Sequence, residues 1–280
     1  MPHDESALRK PEATTCCAHE TVWATLRDEA VIAAERERVI AHALDNAILR
    51  HPSFADALSH RLADKLAGAE IDDAIIRAVL GEVLDRHQDI LAAAQADLLA
   101  IRDRDPACPD LLTPFLYFKG FHAIQAYRIS NALWRQGRLH LARHFQSRAS
   151  EVFAVDIHPA AIMGRGLLLD HGTGLVIGET AVVEDDVSLL QGVTLGGTGR
   201  ECGDRHPKIR GGVLVGAGAK ILGNIEVGKG AKVGAGSIVL APVPPYTTVV
   251  GNPARPVGAR HASLPALTMD QTLPPLDYAI

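Results

Sequence analysis

The chain has 280 residues, of which 47% are hydrophobic, so it can bury one large core or two ordinary ones. Its 28 Lys and Arg against 33 Asp and Glu give a formal charge of −5, which disfavours nucleic acid because a phosphate backbone attracts excess positive charge. No run approaches the roughly 20 apolar residues of a membrane span, and the first residues lack the pattern of a secretion signal. We expect a soluble, cytoplasmic protein without a membrane partner.

The first half of the chain predicts a loose N-terminal extension over residues 1–19, followed by an α-helical domain over residues 20–150. Apolar residues recur there at helical spacing. The clearest set steps by four along the chain: Phe54, Leu58, Leu62 and Leu66. One helix is expected to end near Asp105, because Pro106 disfavours helical geometry in the residue before it.

The composition changes near residue 151. Only four of the 25 glycines precede residue 160, and all but two of the 12 aromatic residues lie at or before Phe153. An aliphatic residue then recurs every six positions in two runs. These anchors are Ile177, Val183, Leu189 and Leu195, then Val215, Ile221, Val227, Val233 and Val239. A six-residue period is typical of a solenoid in which three flat faces form a coil and coils stack by parallel strand pairing at about 4.8 Å. We assign residues 151–257 to this solenoid.

Two segments leave the repeat. The step from Leu195 to Val215 is 20, which is 14 more than one repeat, so a polar loop is expected to leave the coil there. Loops on a rigid scaffold often carry functional residues. Residues 258–280 follow the last repeat, are polar and rich in proline, and predict a flexible C-terminal tail.

Titratable residues interrupt the repeat near its start. Stepping back by six from Ile177 reaches His171, which follows Asp170 and stands where an aliphatic residue belongs. The step from Asp156 to His171 is 15, close to the 18 of a full coil, so the stack should bring the Asp156 carboxylate near the imidazole. A carboxylate that orients an imidazole is the arrangement of a general-base pair. The residues alone are equally compatible with a structural histidine.

Six segments, taken together and in this order, carry a specific resemblance. They are residues 104–107 (RDPA), 117–123 (YFKGFHA), 156–161 (DIHPAA), 169–174 (LDHGTG), 193–199 (VTLGGTG) and 203–208 (GDRHPK). Over residues 20–258 the chain resembles serine O-acetyltransferases of the hexapeptide-repeat acyltransferase superfamily. The resemblance implies an α+β fold, with an N-terminal α-helical domain followed by a left-handed parallel β-helix. It also implies acetyl transfer from acetyl-CoA to the hydroxyl of L-serine. The product, O-acetyl-L-serine, is a precursor of cysteine.

The resemblance implies roles for individual residues. His171 would be the general base and Asp156 its partner, Asp105 and Asp170 would face the ammonium group of serine, and Arg205 and His206 would face its carboxylate. Gly197, Thr198, Ala217 and Ala235 match positions that line a CoA groove between neighbouring β-helices. Such a groove implies a homo-oligomer, either a trimer or a dimer of trimers. The family also implies L-cysteine as an inhibitor, and binding of the C-terminal Ile280 to O-acetylserine sulfhydrylase.

Other interpretations remain open. Homoserine or another small hydroxyl compound could be the acceptor, because composition does not distinguish one methylene. A zinc carbonic anhydrase of hexapeptide type would use three histidines, for which His158, His171 and His206 are candidates. A non-catalytic scaffold that only presents its tail is a third possibility. Without the resemblance, Arg205 reads as a solvated loop charge and Asp105 as a turn-stabilising carboxylate. The four cysteines form no C-x-x-C pair, and no metal is expected.

Overall fold

In the computed structural model, which describes residues 13–199 and 202–273, helices precede a parallel β-helix. The helices before the first strand are α1 (Ala13–Arg36), α2 (Ala41–Leu44), α3 (Phe54–Leu66), α4 (Asp73–Arg86), α5 (Gln88–Arg104), α6 (Leu112–Tyr117), α7 (Lys119–Arg135) and α8 (Leu139–Phe153). A π-helical turn, Asp45–Leu49, directly follows α2. No helix within the described ranges is long and apolar enough to cross a membrane.

Local sequence signals explain the helix ends. Ser53 caps α3, because its hydroxyl oxygen accepts a 3.2 Å hydrogen bond from the Asp56 amide. The four apolar residues of α3 that step by four are all buried, as predicted. Helix α5 ends at Arg104, immediately before the Asp105-Pro106 pair, which is also as predicted. Helix α1 already begins at Ala13, so residues 13–19 are helical and the predicted extension is too long. No proline or glycine interrupts the chain between Ala13 and Arg36.

Fifteen strands of the described chain form the β-helix. They are β1 (Val155–Ile157), β2 (Ile162–Met163), β3 (Leu168–Leu169), β4 (Leu175–Ile177), β5 (Val182–Val183), β6 (Ser188–Leu189), β7 (Thr194–Gly196), β8 (Lys208–Ile209), β9 (Leu214–Val215), β10 (Lys220–Leu222), β11 (Glu226–Val227), β12 (Lys232–Val233), β13 (Ile238–Val239), β14 (Thr248–Gly251) and β15 (Ala254–Val257). Sheet I contains β1, β4, β7, β10 and β13; sheet II contains β2, β5, β8 and β11; sheet III contains β3, β6, β9, β12, β14 and β15. All strand pairs are parallel except the β14–β15 hairpin.

The six-residue repeat fills the interior of the prism. All nine predicted anchors are at most 2% exposed, so the predicted period and the α+β fold are confirmed. Each coil passes from sheet I to sheet II to sheet III, and three rows of turns connect the sheets. We name these rows the I–II, II–III and III–I corners.

The first coil is longer than a regular one. Leu168 of β3 pairs with Ser188, a step of 20, whereas Val176 of β4 pairs with Thr194, a step of 18. The amide of Gly192 bonds to the carbonyl of Thr173 at 2.8 Å, so the regular step is already restored at Thr173. Two extra residues, His171 and Gly172, therefore project from the III–I corner.

The long loop is shorter than the sequence interpretation required. Leu195 pairs with Ile221, a step of 26, so this coil exceeds the regular 18 by 8 and not by 14. The six residues between these two values are one more repeat. Its anchor is Ile209 of β8, which is fully buried and lies on sheet II. Ile209 precedes Val215 by one repeat, so the repeat itself contained this signal. The loop leaves the prism at the I–II corner and returns at Lys208.

Residues 258–273 pack against the prism, which corrects the predicted flexible tail over that part. The short helix α9 (Pro265–Thr268) lies at sheet III, where the Ser188 hydroxyl donates a 2.9 Å bond to the Ala266 carbonyl. The buried Lys232 ammonium donates to the carbonyls of Asp270 and Thr272 at 3.2 and 2.6 Å. These bonds hold the segment along the prism as far as the described chain extends.

Candidate active site

The two extra residues of the first coil place an imidazole on the surface. His171 has φ 54° and Gly172 φ 68°, so both adopt the left-handed conformation. This conformation is uncommon for a residue with a Cβ. The His171 side chain is 76% exposed, and its Nε2 lies 3.9 Å from Oδ1 of Asp170, whose side chain is 26% exposed. The III–I corner thus presents an accessible ring beside a half-buried carboxylate.

Asp105 lies near Asp170. Burial raises the pKa of the Asp170 carboxyl, and the negative charge of Asp105 raises it further, while His171 acts in the opposite direction. Two carboxylates that repel each other at a half-buried position favour a cationic ligand between them. Asp105 also accepts a 2.9 Å bond from the Ala107 amide, so the turn-stabilising contact exists as well.

Two helices hold this corner in place. Arg104, at the end of α5, donates a 2.9 Å bond to the Asp186 carboxylate and fixes the helix end that carries Asp105. At the start of α7, the Lys119 ammonium donates to the Thr173 hydroxyl. Gly120 lies against the Leu169 carbonyl, where a Cβ would overlap with the oxygen. The sequence pattern did not indicate these roles for Arg104, Lys119 and Gly120.

A second group of polar residues lies at the I–II corner. It consists of His158, Glu179, Thr180, Arg205 and His206. The Arg205 guanidinium donates a 2.7 Å bond to the Glu179 carboxylate. His206 is only 7% exposed, and burial lowers the pKa of its ring, as does the charge of Arg205. Burial likewise lowers the pKa of His158, whose ring packs edge-on against Trp134 at 5.2 Å between centroids.

Asp156 and His171 form no hydrogen bond or ion pair in the described structure. The Asp156 carboxylate accepts a 2.7 Å bond from the Gln146 amide of α8. In the strand register Asp156 pairs with Val176, well beyond His171, because the first coil advances by 20 along the chain and not by 18. The first coil is therefore not the regular 18 residues that the spacing of the pair assumed, and the role of Asp156 stays a prediction.

The four residues matched to CoA binding are divided between two corners. Gly197 lies beside Arg205 at the I–II corner, and the Thr198 methyl group approaches Gly223 there. Ala217 and Ala235 lie at the III–I corner in successive coils, on the side of the prism that carries His171. Both candidate sets, for serine and for CoA, are therefore divided between the two edges of sheet I.

The alternative zinc site requires three ligands that converge on one point. Among residues 13–199 and 202–273, no three His, Cys, Asp or Glu side chains are grouped so that they could hold a metal ion. His171 lies at the III–I corner, whereas His158 and His206 lie at the I–II corner. Ile280, predicted to bind a partner enzyme, lies outside the described residues.

Comparisons with known proteins agree with this architecture. Residues 22–126 match the family model of the serine acetyltransferase N-terminal region. A serine acetyltransferase of Salmonella typhimurium is 54% identical over 256 residues, which are 91% of this chain and 94% of that protein.

Solved structures match the whole fold. A serine acetyltransferase from Vibrio cholerae superposes with a TM-score of 0.89 at 56% identity, over 91% of this chain and 98% of that one. A serine acetyltransferase in complex with cysteine gives a TM-score of 0.90 at 52% identity, over 91% and 99%. The chain therefore belongs to the serine acetyltransferases, a family of acyltransferases whose co-substrate is acetyl-CoA.

Proposed function

We propose that the chain acetylates the hydroxyl of L-serine, as the first step of cysteine biosynthesis, at sites shared by two neighbouring chains. One observation carries the proposal: the candidate serine residues lie at opposite edges of sheet I. Asp170 and His171 occupy the III–I corner, with Asp105 of the helical domain near Asp170, and Arg205 and His206 occupy the I–II corner.

The width of sheet I separates these groups within one chain. From Gly174 to Gly178 an extended strand spans about 13 Å at roughly 3.3 Å per residue. The ammonium and carboxylate groups of serine are attached to the same carbon. One serine molecule can therefore contact residues of both corners only if the two corners belong to different chains.

A ring of three prisms provides this arrangement. If sheet I of each chain faces the axis, the III–I corner of one prism meets the I–II corner of the next, and three triangular prisms close the ring. Aliphatic side chains are exposed on this side of the prism: Val176 of β4 is 39% exposed, and Leu240, the residue after β13, is 56% exposed. These aliphatic side chains would become buried at the axis. The CoA residues would be joined in the same way, with Ala217 and Ala235 facing Gly197 and Thr198 of the neighbour.

The chemistry proposed for His171 is general-base catalysis. The imidazole takes the serine hydroxyl proton as the oxygen forms its bond to the acetyl carbon. The carbon–sulfur bond then breaks, and the proton passes to the departing sulfur of CoA. The carboxylates of Asp105 and Asp170 bind the ammonium group, while Arg205 and His206 bind the carboxylate.

We propose direct attack of serine on the thioester, without an acyl-enzyme on Cys108. Cys108 is the cysteine nearest Asp105 in the sequence, but it is 2% exposed and its thiol donates to the Asp110 carbonyl. Burial raises the pKa of the Cys108 thiol to about 11, so the reactive thiolate is scarce at neutral pH.

Solved relatives support the choice of ligands. A Brucella abortus serine acetyltransferase binds coenzyme A and a soybean serine acetyltransferase binds serine. We propose the same two ligands for this chain, and L-cysteine as a competitor of serine because it differs by sulfur in place of oxygen. Binding of Ile280 to O-acetylserine sulfhydrylase remains a further proposal, to be tested by deleting that residue and measuring association of the two enzymes.

Mixing two inactive variants tests the shared site. His171→Ala and Arg205→Ala are each expected to lose most turnover with L-serine. Co-refolding them in equal amounts should restore about one quarter of the wild-type sites, because each mixed trimer has one interface with both residues intact. A thiol-release assay with serine and homoserine measures the activity and the acceptor. No recovery, with mixed trimers demonstrated by mass spectrometry, would contradict the shared site.

A further inference from the structure

Thr180 makes four close polar contacts to the Arg205–His206 pair. Its Oγ1 accepts bonds from the amides of Arg205 and His206 at 3.0 and 3.1 Å. The same oxygen lies 2.9 Å from Nδ1 of His206, and the Thr180 amide donates to that nitrogen at 3.2 Å. One threonine therefore holds both the backbone where the long loop returns and the ring that follows it.

The bonds determine where the ring proton lies. A hydroxyl has one proton and two lone pairs, and the two backbone amides occupy the lone pairs of Thr180 Oγ1. Its proton is left for an acceptor, either Nδ1 of His206 or the nearby Asp204 carboxylate. In both cases Nδ1 accepts a hydrogen bond from the Thr180 amide, so Nδ1 has no proton of its own. The neutral ring therefore carries its proton on Nε2. Within the described residues Nε2 makes no hydrogen bond.

Space around the ring restricts it further. The ring lies directly over Gly178, where a Cβ would overlap with Nε2. The His206 ring is thus held by hydrogen bonds to Thr180 on one side and by packing against Gly178 on another. A half-turn of the ring about its Cβ–Cγ bond would place Cδ2 where Nδ1 lies and would break the bonds that Nδ1 makes to Thr180.

We propose that Thr180 is a positioning residue for acetyl transfer, which directs an uncharged Nε2–H donor of His206 towards the carboxylate of the acceptor. The inference rests on the proposed function for its substrate, but the proton position does not. Arg205 then supplies the positive charge, and His206 supplies a directed hydrogen bond. Thr180 acts through these two residues and does not itself contact the substrate.

Two substitutions of Thr180 separate positioning from mere packing. Thr180→Val keeps the shape and removes the hydroxyl, and should raise KM for L-serine about tenfold with a smaller change in KM for acetyl-CoA. Thr180→Ser restores the hydroxyl and should return KM for L-serine to within about threefold of the wild type. Thr268→Val, in α9, is the matched control and should match the wild type.

Nuclear magnetic resonance of ¹⁵N-labelled histidines reads the proton position directly. The His206 signals, assigned by their loss in His206→Gln, should show Nε2 protonated and Nδ1 unprotonated in the wild type. A proton on Nδ1 in the wild type would overturn the inference even if Thr180→Val fails to fold. An unchanged KM for L-serine in folded, active Thr180→Val would overturn it as well. A wild type that shows the predicted Nε2 proton but acetylates no serine would refute only the proposed function.

Discussion

Gly120 at the start of α7 packs against the carbonyl oxygen of Leu169, the last residue of β3 before the His171 turn. A Cβ placed on Gly172 would lie only 3.4 Å from the Gly120 Cα, so the helix contacts both ends of the turn. The helical domain thus forms the surface on which the exposed imidazole is presented.

Gly120→Ala is expected to lower kcat at least tenfold. The added methyl overlaps with a backbone oxygen, which cannot move as the end of a flexible side chain could, so α7 or the His171 turn must shift. A displacement of about 1 Å at a catalytic group is sufficient for losses of this size. Steady-state kinetics with saturating serine and acetyl-CoA measure the loss. Gly81→Ala is the control, because apart from its own helix backbone and chain neighbours that helical glycine has no heavy atom within 4 Å of the added carbon. Equal activity of both variants would refute this prediction.

Arg104→Met should raise KM for L-serine several-fold and change kcat little. The Arg104 side chain is 4% exposed and joins the end of α5 to Asp186, while the adjacent Asp105 is assigned to the ammonium group. Loss of the guanidinium leaves Asp186 in contact with water, since it is 55% exposed, so the fold is expected to persist. Arg102→Met is the control, because the guanidinium of Arg102 donates to its exposed neighbour Asp103 and does not join α5 to the β-helix. A fall in kcat with constant KM would assign Arg104 another role.

Much of this architecture could be predicted from the sequence, and the exceptions have physical causes. The anchors from Ile177 to Val239 were correct because the narrow interior accepts only aliphatic residues at a fixed period. Ile209 was missed because the loop before it breaks the count that starts from Leu195, although the count backwards from Val215 reaches it. Residues 258–273 appeared flexible because their bonds to Ser188 and Lys232 are made to backbone carbonyls, which composition does not reveal.

The site was predictable in its residue types more than in its geometry. His171 was identifiable as a break in the repeat, and its two-residue insertion could be counted only once strand pairing was known. The relation between Asp156 and His171 depended on a regular coil of 18, which the insertion lengthens to 20. Thr180 gave no signal, because a single threonine after a strand is common and its partners lie at the far end of the long loop.

Asp97→Asn is expected to destabilise the chain by about 3–5 kcal/mol. The Asp97 carboxylate is fully buried and accepts bonds from Gln125, Arg128 and the Leu167 amide at 2.9, 2.7 and 2.9 Å. An amide at this position turns a donor towards other donors and leaves the Arg128 charge without its partner. Urea unfolding at fixed protein concentration measures the loss. The exposed Asp73→Asn on α4, which breaks an ion pair to Arg77, should cost at most about 1 kcal/mol. Equal losses for both variants would contradict the prediction.

His122 should make the chain less stable in acid. Its ring is 2% exposed and shares a 2.8 Å hydrogen bond with the Phe115 carbonyl, and burial lowers the pKa of the ring from 6.5 to about 3. Between these values the unfolded chain binds a proton that the folded chain does not, so the free energy of unfolding falls as the pH falls, by up to about 1.4 kcal/mol per unit. From pH 7 to pH 5 this amounts to about 2 kcal/mol.

His122→Gln isolates that contribution, because glutamine can retain the donor to Phe115 but does not titrate. Carboxylates elsewhere also respond to acid, so the informative quantity is the difference between wild type and variant in the free energy of unfolding. The variant should be the less stable protein at pH 7 and should lose about 2 kcal/mol less than the wild type on acidification to pH 5. His140→Gln, at an exposed position of α8, should follow the wild type throughout. Parallel curves for wild type and His122→Gln would show that the buried ring does not govern the acid response, since only a group that binds protons differently in the two states can change the slope.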